Sequence, residues 1–399
     1  MKLLLVADGR SPITRNWINM LNGLDVEIHL VSTFACNPVE GTHMEAVIPV
    51  GFSAFSGSQA SGPARLRPQK IPAALSRFRP LLLKLRAYLT PLLIKNYQKH
   101  IIKIINNLKP DVIHALRIPF EGMLASCAPK HIPLVVSIWG NDLTLHAHTS
   151  PLMGTWTRKT LSRVDGLMAD ARRDIRLADE WGLKKDIPVL AVPGSGGLDI
   201  GRIQKTKSGK KKLNFSVPKN RPLIINSRGF RPGSVHQDIF FRSIPLVLKQ
   251  VPDAYFVCTA MQGQPLAEKW VEEFGIQDYV LLLPTVNQEE LWELFARSQV
   301  YTSLSSHDGT PNSFLESIAL GCFPVVGDIA SLREWLVDGE NGLLVNPASP
   351  QESADAQVQA LLHEDMRERA AVQNFCLVTE KADRTKIQDQ VADFYSALL

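Results

Sequence analysis

The chain has 399 residues, of which 45% are hydrophobic and 21% are charged, and it carries a formal net charge of +5 at pH 7. A chain of this length exceeds one ordinary domain, so we expect two domains that each bury a core. No apolar run approaches the roughly 18 residues of a membrane span, and the opening MKLLLVADGR is too short for a signal peptide, so a soluble cytoplasmic protein is expected.

The five cysteines are odd in number, scattered, and free of C-x-x-C spacing. This pattern predicts buried thiols in a reducing cytoplasm and indicates neither a disulfide nor a metal site. The residues are Cys36, Cys127, Cys258, Cys322 and Cys376.

Short apolar runs rich in Val, Ile and Leu alternate with helical segments along the chain. Such alternation is typical of parallel sheets that are covered by helices on both faces. The predicted strands of the first half are 3–7, 26–31, 112–115, 134–138, 166–169 and 189–192. Those of the second half are 223–226, 255–258, 280–283, 300–303, 323–326 and 342–345. The sequence therefore predicts an α/β protein with two doubly wound, Rossmann-like domains.

Between the two halves, residues 201–222 are polar, rich in lysine and free of acidic residues. We expect this range to connect a first domain, 1–200, to a second domain, 223–383. Residues 384–399 are expected to form a helix that packs back on the first domain.

In open parallel sheets, ligands bind at the carboxyl ends of the strands, and two such domains facing each other form a cleft. We therefore expect the functional site in a cleft between the domains. The first predicted strand leads into Asp8, Gly9 and Arg10 without the G-x-G-x-x-G fingerprint, which disfavours a nicotinamide dehydrogenase. The chain also lacks G-x-x-x-x-G-K-[ST], which argues against a P-loop hydrolase.

The charge of the chain is unevenly distributed. From Ala46 to Pro110 there are eleven Lys and Arg residues and no acidic residue, so the rest of the chain sums to −6. Residues 63–94 mix basic residues with leucines, which fits either contact with an anionic membrane surface or a solvated face. Nucleic acid is disfavoured as a partner because no recognition module accompanies the charge.

The first predicted strand of the second domain is followed by Arg228 and Arg231. Arginine suits a diphosphate because its planar guanidinium can hold two phosphate oxygens at once. Taken alone, a short basic loop is more typical of a solvated surface. Its position at a strand end, with a pair of carboxylates further along the chain, favours phosphate binding.

Those two carboxylates, Asp308 and Glu316, flank a turn and the start of an apolar helix. The helix is predicted to begin near Asn312 or Ser313, and its first N–H groups would form a site for a phosphate or a hydroxyl group. Gly309 allows a ligand to approach the backbone closely.

The same residues also allow a purely structural interpretation. Ser313 and Glu316 fit the S-x-x-E capping box, and Asp308 fits an Asx turn. Local residue types leave both interpretations open.

From Asp308 to Leu344 the sequence resembles the donor-binding signature of the retaining family 4 glycosyltransferases, which have the GT-B fold. That signature is a Glu, seven residues and a second Glu, followed by a strand containing Pro-Val-Val and a G-x-N-G-L-L turn. Here 321–326 supply the strand and 339–344 supply the turn, while Asp308 stands where the family usually has its first Glu.

The resemblance implies a GT-B fold and transfer of a sugar from a nucleotide-diphosphate sugar to an acceptor with retention of configuration, without a metal or cofactor. The resemblance implies three catalytic residues. Arg228 and Arg231 would stabilise the departing diphosphate, and Asp308 would lie near the sugar. Glu316 would bind the ribose hydroxyl groups. The other predicted donor contacts of this domain are Val286, Gly309, Thr310, Pro311, Asn312, Ser313 and Phe314.

In the first domain, residues 137–142 resemble the family's strand that ends in His-Gly-x-Asp, with Trp139 at the position of the His. The predicted donor contacts from this domain are Gly9, Asn141 and Asp142. The acceptor is left open between a glycan, a lipid-linked sugar and a small molecule.

Two other functions stay open. A catalytically silent protein that binds a sugar nucleotide would fit the departures at Asp308 and Trp139. A sugar-nucleotide epimerase or a phosphorylase of similar fold is the second alternative.

Overall fold

A computed structural model of the chain describes residues 1–50, 79–208 and 213–399. These residues form two compact units. The first unit consists of Met1–Gly196 together with Lys386–Leu399, and the second consists of Gly197–Thr385.

The first unit is built on a parallel sheet of seven strands in the order β3-β2-β1-β4-β5-β6-β7. The central strands are almost wholly apolar and buried on both faces, as expected for a parallel sheet between two helical layers. The strands are β1 Lys2–Ala7, β2 Glu27–Ser32, β3 His43–Val47, β4 Val112–Ala115, β5 Leu134–Ile138, β6 Gly166–Ala169 and β7 Val189–Ala191.

Helices cover both faces of this sheet. Ser11 and Ser150 begin two of them, because each serine oxygen accepts a hydrogen bond from a backbone N–H of the first turn and a proline follows at the first helical position. The helices of this unit are Pro12–Leu21, Arg79–Leu108, Met123–Ala125, Pro151–Leu161, Arg172–Glu180 and, from the end of the chain, Arg384–Ser396.

The last helix is anchored in the core of the first unit. The Tyr395 hydroxyl shares a 2.6 Å hydrogen bond with His114 Nδ1, and Ser137 Oγ lies 2.8 Å from His114 Nε2. Burial lowers the pKa of His114 to about 3, so this imidazole is neutral at physiological pH. Phe394 packs directly against Gly166, where a side chain would meet its ring.

The second unit contains a parallel sheet of six strands in the order β10-β9-β8-β11-β12-β13. The strands are β8 Leu223–Asn226, β9 Tyr255–Cys258, β10 Val280–Leu282, β11 Val300–Ser303, β12 Phe323–Gly327 and β13 Leu343–Val345. The helices are Ile200–Ser208, Gln237–Leu248, Pro265–Glu273, Gln288–Arg297, Asn312–Leu320, Pro350–Leu362 and Glu364–Lys381.

All twelve predicted strands are present, with ends within one residue of those expected, and the α/β prediction is confirmed. The sequence did not predict β3. This strand lies at the edge of its sheet, and its residues alternate between exposed and partly buried, so it lacks the apolar run that marks the other strands.

Residues 201–222 were expected to connect the domains, and the described parts of this range, 201–208 and 213–222, lie within the second unit. Helix Ile200–Ser208 occupies the start of the range, and Ile203, Leu213 and Val217 join the apolar core that also contains Leu223. Because lysines dominate the composition of this range, its sequence pattern did not predict that these three apolar residues are buried.

All five cysteines are free thiols. Cys258 and Cys322 are buried as expected, and Cys36 and Cys127 are partly buried. The expectation is wrong for Cys376, which is exposed on the surface of helix Glu364–Lys381.

None of the helices in the described parts of the chain is long and apolar enough to cross a membrane.

Candidate functional site

Two loops lie side by side at one edge of the second sheet. Strands β8 and β11 are parallel neighbours, with Ile225 opposite Tyr301. The loop 227–236 follows β8 and the turn 304–311 follows β11, so both leave the sheet at its carboxyl edge. This is the edge at which open parallel sheets bind their ligands.

Arg228 connects the two loops. Its residue is only 9% exposed, its Nη2 forms an ion pair with the Asp308 carboxylate, and its Nη1 lies 3.4 Å from Ser313 Oγ. Three residues predicted from the sequence are thereby brought together. The Arg228 Nε is also buried, and no hydrogen-bond partner for it is found among the described residues.

The loop after β8 is held by side-chain amides. Asn226 Nδ2 donates to Gln237 Oε1 at 2.8 Å, and Gln237 Nε2 donates to the Gly229 carbonyl at 2.6 Å. Asn226 Oδ1 accepts the backbone N–H of Arg228 at 3.1 Å. These contacts fix the backbone from which the Arg228 side chain extends.

Asp308 is held from several directions. Besides Arg228, its carboxylate accepts Ser305 Oγ and the Gly309 N–H, each at 3.2 Å. The Asp308 carbonyl accepts Ser331 Oγ at 2.9 Å. The contacts with Ser305 and Gly309 are local, but neither is the bond from the N–H two residues on that defines an Asx turn, and the ion pair across the two loops is additional to them.

The start of helix Asn312–Leu320 carries no side-chain cap. Pro311 occupies the capping position in an extended conformation, so the capping box proposed for Ser313 and Glu316 is wrong. Ser313 Oγ instead faces Arg228 and lies 3.2 Å from the Tyr301 hydroxyl. The capping residue Pro311 thus offers no side-chain acceptor to the first turn, which carries the positive end of the helix dipole.

Glu316 is a buried acid on this helix, 6% exposed, and its Oε2 accepts Gln288 Nε2 at 2.9 Å. Burial raises the pKa of Glu316 to about 7, against the opposing effects of Gln288, Trp292 and Arg384. Trp292 lowers the pKa of Glu316, but its indole N–H makes no hydrogen bond of normal geometry to the Glu316 carboxylate. Trp292 Nε1 and Arg384 Nε are both buried donors without a partner in the described part of the chain.

Arg231 lies on the exposed side of the loop after β8, and its Nε donates to the Arg228 carbonyl at 3.2 Å. The nearby charge of Arg228 lowers the pKa of Arg231 to about 10, and the charge of Asp308 partly offsets this effect. Arg231 therefore stays positive at neutral pH. Two guanidinium groups share one short loop, an arrangement that suits a polyanion.

The other predicted residues of the second unit occupy different environments. Thr310 Oγ1 accepts Trp335 Nε1 at 3.2 Å, and Phe314 is a core residue whose N–H donates to the Pro311 carbonyl at 3.0 Å. Val286 is half-buried in the segment before helix Gln288–Arg297. The contact of Gln288 with Glu316 brings that helix start next to the buried acid.

In the first unit, Gly9 follows β1 and its N–H donates to Ser32 Oγ at 3.1 Å. A Cβ at this position would lie 2.5 Å from Cys36 Sγ and 3.1 Å from Ser32 Oγ, so a larger residue would force these side chains to shift.

Asp142 is 1% exposed and braces the first unit internally. Its carboxylate accepts Arg117 Nη2 at 2.6 Å and the Ile118 N–H at 3.1 Å. Asn141 is half-buried, with its Oδ1 at 3.5 Å from the same Arg117 nitrogen. Trp139, at the family's His position, is 9% exposed in the core and donates its indole N–H to the Leu116 carbonyl.

Sequence reasoning missed several polar residues of both units. Gln288, Trp292 and Arg384 surround Glu316 but lie far from it in the chain, and no motif marks them. Glu121 in the first unit is buried to 3% exposure. An acidic residue inside the apolar stretch IPFEGML was a signal that could have identified it.

A separate cavity of about 470 Å³ lies in the first unit, at the edge of the sheet where β4 and β5 begin. It is lined by residues that precede β4 and β5, among them Lys109, Asp111 and His131. Because it lies at the amino ends of these strands, it is not the predicted site.

Within 1–50, 79–208 and 213–399, no group of three or more His, Cys, Asp or Glu side chains is arranged to hold a metal ion.

Replacing Glu316 by Gln is expected to stabilise the free protein at high pH. The folded-state pKa of about 7 exceeds the ordinary 4.5, so wild-type stability falls as the pH rises from about 4.5 to about 7, by roughly 3 kcal/mol. The Glu316→Gln variant lacks this loss. Urea unfolding at pH 5 and pH 8 should show its advantage growing with pH.

The matched control for this experiment is Glu293→Gln. Glu293 is also buried, but it is paired with Arg297 at 2.6 Å, so the amide variant should be less stable than wild type. An advantage of Glu316→Gln that does not change with pH would contradict the account.

The chain matches two family models. Residues 210–374 match the family described as "Glycosyl transferases group 1", and residues 69–171 match the family described as "Glycosyl transferase 4-like". The first match contains both loops of the site in the second unit.

One curated relative is a GDP-mannose:cellobiosyl-diphosphopolyprenol alpha-mannosyltransferase from Xanthomonas oryzae pv. oryzae, which is 35% identical over 266 residues. The match covers 64% of this chain and 66% of that relative. A D-inositol 3-phosphate glycosyltransferase from Paenarthrobacter aurescens is 26% identical, with 43% of this chain and 46% of the relative covered. The chain thus matches these relatives over two thirds of their length or less.

Solved structures match the whole fold. Sucrose-phosphate synthase from Thermosynechococcus elongatus has a TM-score of 0.72 at 12% identity, covering 100% of this chain and 99% of that one. HepE from Anabaena, in complex with UDP and glucose, has a TM-score of 0.67 at 15% identity, covering 100% of both chains. At such identities the likeness shows the fold alone.

The two family matches follow one another along the chain, and the match over residues 210–374 contains Arg228, Asp308 and Glu316. The fold agrees with them in both units. The chain belongs to the group 1, family 4-like glycosyltransferases and has the GT-B fold.

Proposed function

We propose that the protein transfers a hexose from a nucleotide-diphosphate sugar to an acceptor, with retention of anomeric configuration. The observation that carries this proposal is the joining of Arg228, Asp308 and Ser313 at an uncapped helix start, with the buried Glu316 on the same helix. The leaving group, the sugar and the ribose each have a chemically suited partner in this set.

The departing diphosphate gains negative charge as the bond to the anomeric carbon breaks. Arg228 and Arg231 supply two positive charges on one loop, and the start of helix Asn312–Leu320 adds the positive end of the helix dipole. These groups are in place before the reaction, so they stabilise the developing charge without reorganising.

Glu316 binds the ribose hydroxyl groups of the donor. Ionised carboxylates accept hydrogen bonds from neighbouring hydroxyl groups well, and a site with little water strengthens such bonds. Binding the donor in this way favours the ionised form of an acid whose pKa is about 7 in the free protein. Donor affinity therefore depends on pH near neutrality.

Asp308 orients the sugar and shields its developing positive charge. Its carboxylate is already held by Arg228, Ser305 and the Gly309 N–H, which suits a fixed electrostatic group better than a covalent nucleophile. We therefore favour attack by the acceptor from the face of the leaving phosphate, with that phosphate assisting the proton transfer.

The names of the relatives suggest the substrates. One curated relative uses GDP-mannose and a cellobiosyl-diphosphopolyprenol, and HepE has been solved with UDP and glucose. We propose that this chain uses a hexose nucleotide of this type and an acceptor sugar carried on a lipid diphosphate.

Surface contact with a membrane would bring the protein to such an acceptor, at the cytoplasmic face. Helix Arg79–Leu108 exposes apolar residues that include Leu92 (62% exposed) and Leu93 (42% exposed), followed by the exposed Lys95, Lys99 and Lys103. Apolar residues beside lysines favour an anionic lipid surface. The rest of the predicted segment, 63–78, lies outside the described residues.

Replacing Arg228 by Gln should strongly reduce transfer in protein that is still folded. The purified protein is incubated with GDP-mannose or UDP-glucose, with and without cellobiosyl diphosphate on a short prenol, and product release and anomeric configuration are followed by NMR. Loss of charge stabilisation in the transition state predicts a fall in turnover of about 100- to 1,000-fold.

Arg242→Gln serves as the control, because Arg242 is an exposed arginine of the same unit. Arg228→Lys should retain part of the activity, since it keeps the charge but loses the planar fork. Donor binding without hydrolysis or transfer would favour a silent binding protein, and an inverted product would refute retention.

Membrane contact is tested by flotation with liposomes that contain phosphatidylglycerol. The double variant Leu92→Asp, Leu93→Asp should float less than wild type at low salt, whereas Leu266→Asp, at a 54% exposed leucine of the second unit, should behave as wild type. Equal flotation of all three proteins would exclude this surface.

A further inference from the structure

A buried polar cluster lies at the carboxyl edge of the first sheet. Glu121 belongs to the helical turn Ile118–Gly122, which follows β4, and it is 3% exposed. Thr33, which follows β2, donates its hydroxyl to Glu121 Oε1 at 2.7 Å. The cluster is thus formed by the segments that follow β2 and β4, the two parallel neighbours of β1, at the carboxyl edge of the sheet.

The second carboxyl oxygen of Glu121 is buried and has no hydrogen-bond partner among the described residues. Leaving such an atom unpaired costs about 1–3 kcal/mol. Burial raises the pKa of Glu121, while Arg117 and Thr33 lower it in part. The contacts of the Glu121 side chain within the described residues therefore leave one of its carboxyl oxygens without a hydrogen bond.

Arg117 connects this cluster to the surface. Its Nη2 donates to Asp142 at 2.6 Å, its Nε is buried without a partner in the described ranges, and its side chain is 34% exposed. Burial acts to lower the pKa of Arg117, but the nearby carboxylates of Asp142, Glu121 and Asp8 raise it overall. Arg117 is therefore a fixed cation with an unused donor.

The charges of the cluster are already matched. Arg117 pairs with Asp142, and Arg10 pairs with Asp8 at 3.1 Å. A phosphate would need surplus positive charge, which these pairs do not leave. A neutral sugar needs hydrogen-bond donors and acceptors, and an apolar ring such as that of the half-buried Phe120 beside Glu121 suits one of its faces.

We propose that Glu121 and Arg117 form a subsite for a neutral sugar unit of the acceptor, with Glu121 Oε2 and Arg117 Nε hydrogen-bonded to its hydroxyl oxygens. This inference rests on the proposed glycosyl transfer and adds the residues that recognise the acceptor. A hydroxyl group both donates and accepts, so it can pair with either protonation state of Glu121.

Glu121→Met removes both carboxyl oxygens while keeping a side chain of similar length. The KM for cellobiosyl diphosphate on a short prenol should rise about 10- to 100-fold, because a hydrogen bond to a buried polar group is lost. The KM for the donor and its hydrolysis without acceptor should stay at wild-type values. Glu121→Gln should restore part of the acceptor affinity, and free cellobiose should compete with the acceptor in wild type only.

Asp165→Asn is the matched control, since Asp165 is an acid of the same unit that precedes β6 and pairs with Arg163 at 2.7 Å at the opposite sheet edge. It should change stability without changing the acceptor KM. If Glu121→Met unfolds, Glu121→Asp provides the same test, because its shorter arm cannot keep both contacts.

A wild-type acceptor KM in a folded Glu121 variant would overturn the subsite. The subsite would also be overturned if the wild type hydrolysed the donor but transferred no sugar to the cellobiosyl acceptor. That result would not contradict the proposed donor site of the second unit. Absence of both hydrolysis and transfer in wild type would refute glycosyl transfer itself, and the subsite with it.

Discussion

The ion pair between Arg228 and Asp308 is the constraint on which the site in the second unit depends. It joins the loop after β8 to the turn after β11, and the same guanidinium reaches Ser313 at the helix start. Removing one member of a buried pair leaves an uncompensated charge, at a cost of about 3–5 kcal/mol. The pair therefore fixes the positions of the groups that we assign to the sugar and to the diphosphate.

Glu316, which we propose as a ligand-binding group, lowers the stability of the free protein when it is ionised. An acid at 6% exposure with a pKa of about 7 costs free energy in the free protein whenever it is ionised. The surrounding Gln288, Trp292 and Arg384 reduce that cost without removing it, and two of them keep buried donors unpaired. In our proposal, a ligand rich in hydroxyl groups and phosphate oxygens satisfies these atoms together.

The sequence predicted the two parallel sheets well, because buried parallel strands are continuous apolar runs, and it failed at β3, an edge strand without one. It placed Arg228, Asp308 and Ser313 together only through resemblance, since their contacts cross between two loops 80 or more residues apart. The capping box was wrong because Pro311, rather than Ser313, precedes the first helical residue. The contacts of Asp142 with Arg117 and the Ile118 N–H were not predicted, and Glu121 was overlooked, because a residue type alone does not reveal which way its side chain faces.

The central claim is that an ionised Glu316 in the second unit binds the ribose of a nucleotide sugar. The most direct measurement is the calorimetric affinity for GDP-mannose and UDP-glucose between pH 6 and 8.5. This range extends roughly one unit or more on either side of the Glu316 pKa of about 7. Both ligands are diphosphate diesters without a phosphate group that titrates in this range, so their own charge stays constant. For wild type the account predicts full affinity above about pH 7 and a loss of up to tenfold per pH unit below it, with weaker binding that is independent of pH for Glu316→Gln. Equal affinities of the two proteins across this range would contradict it.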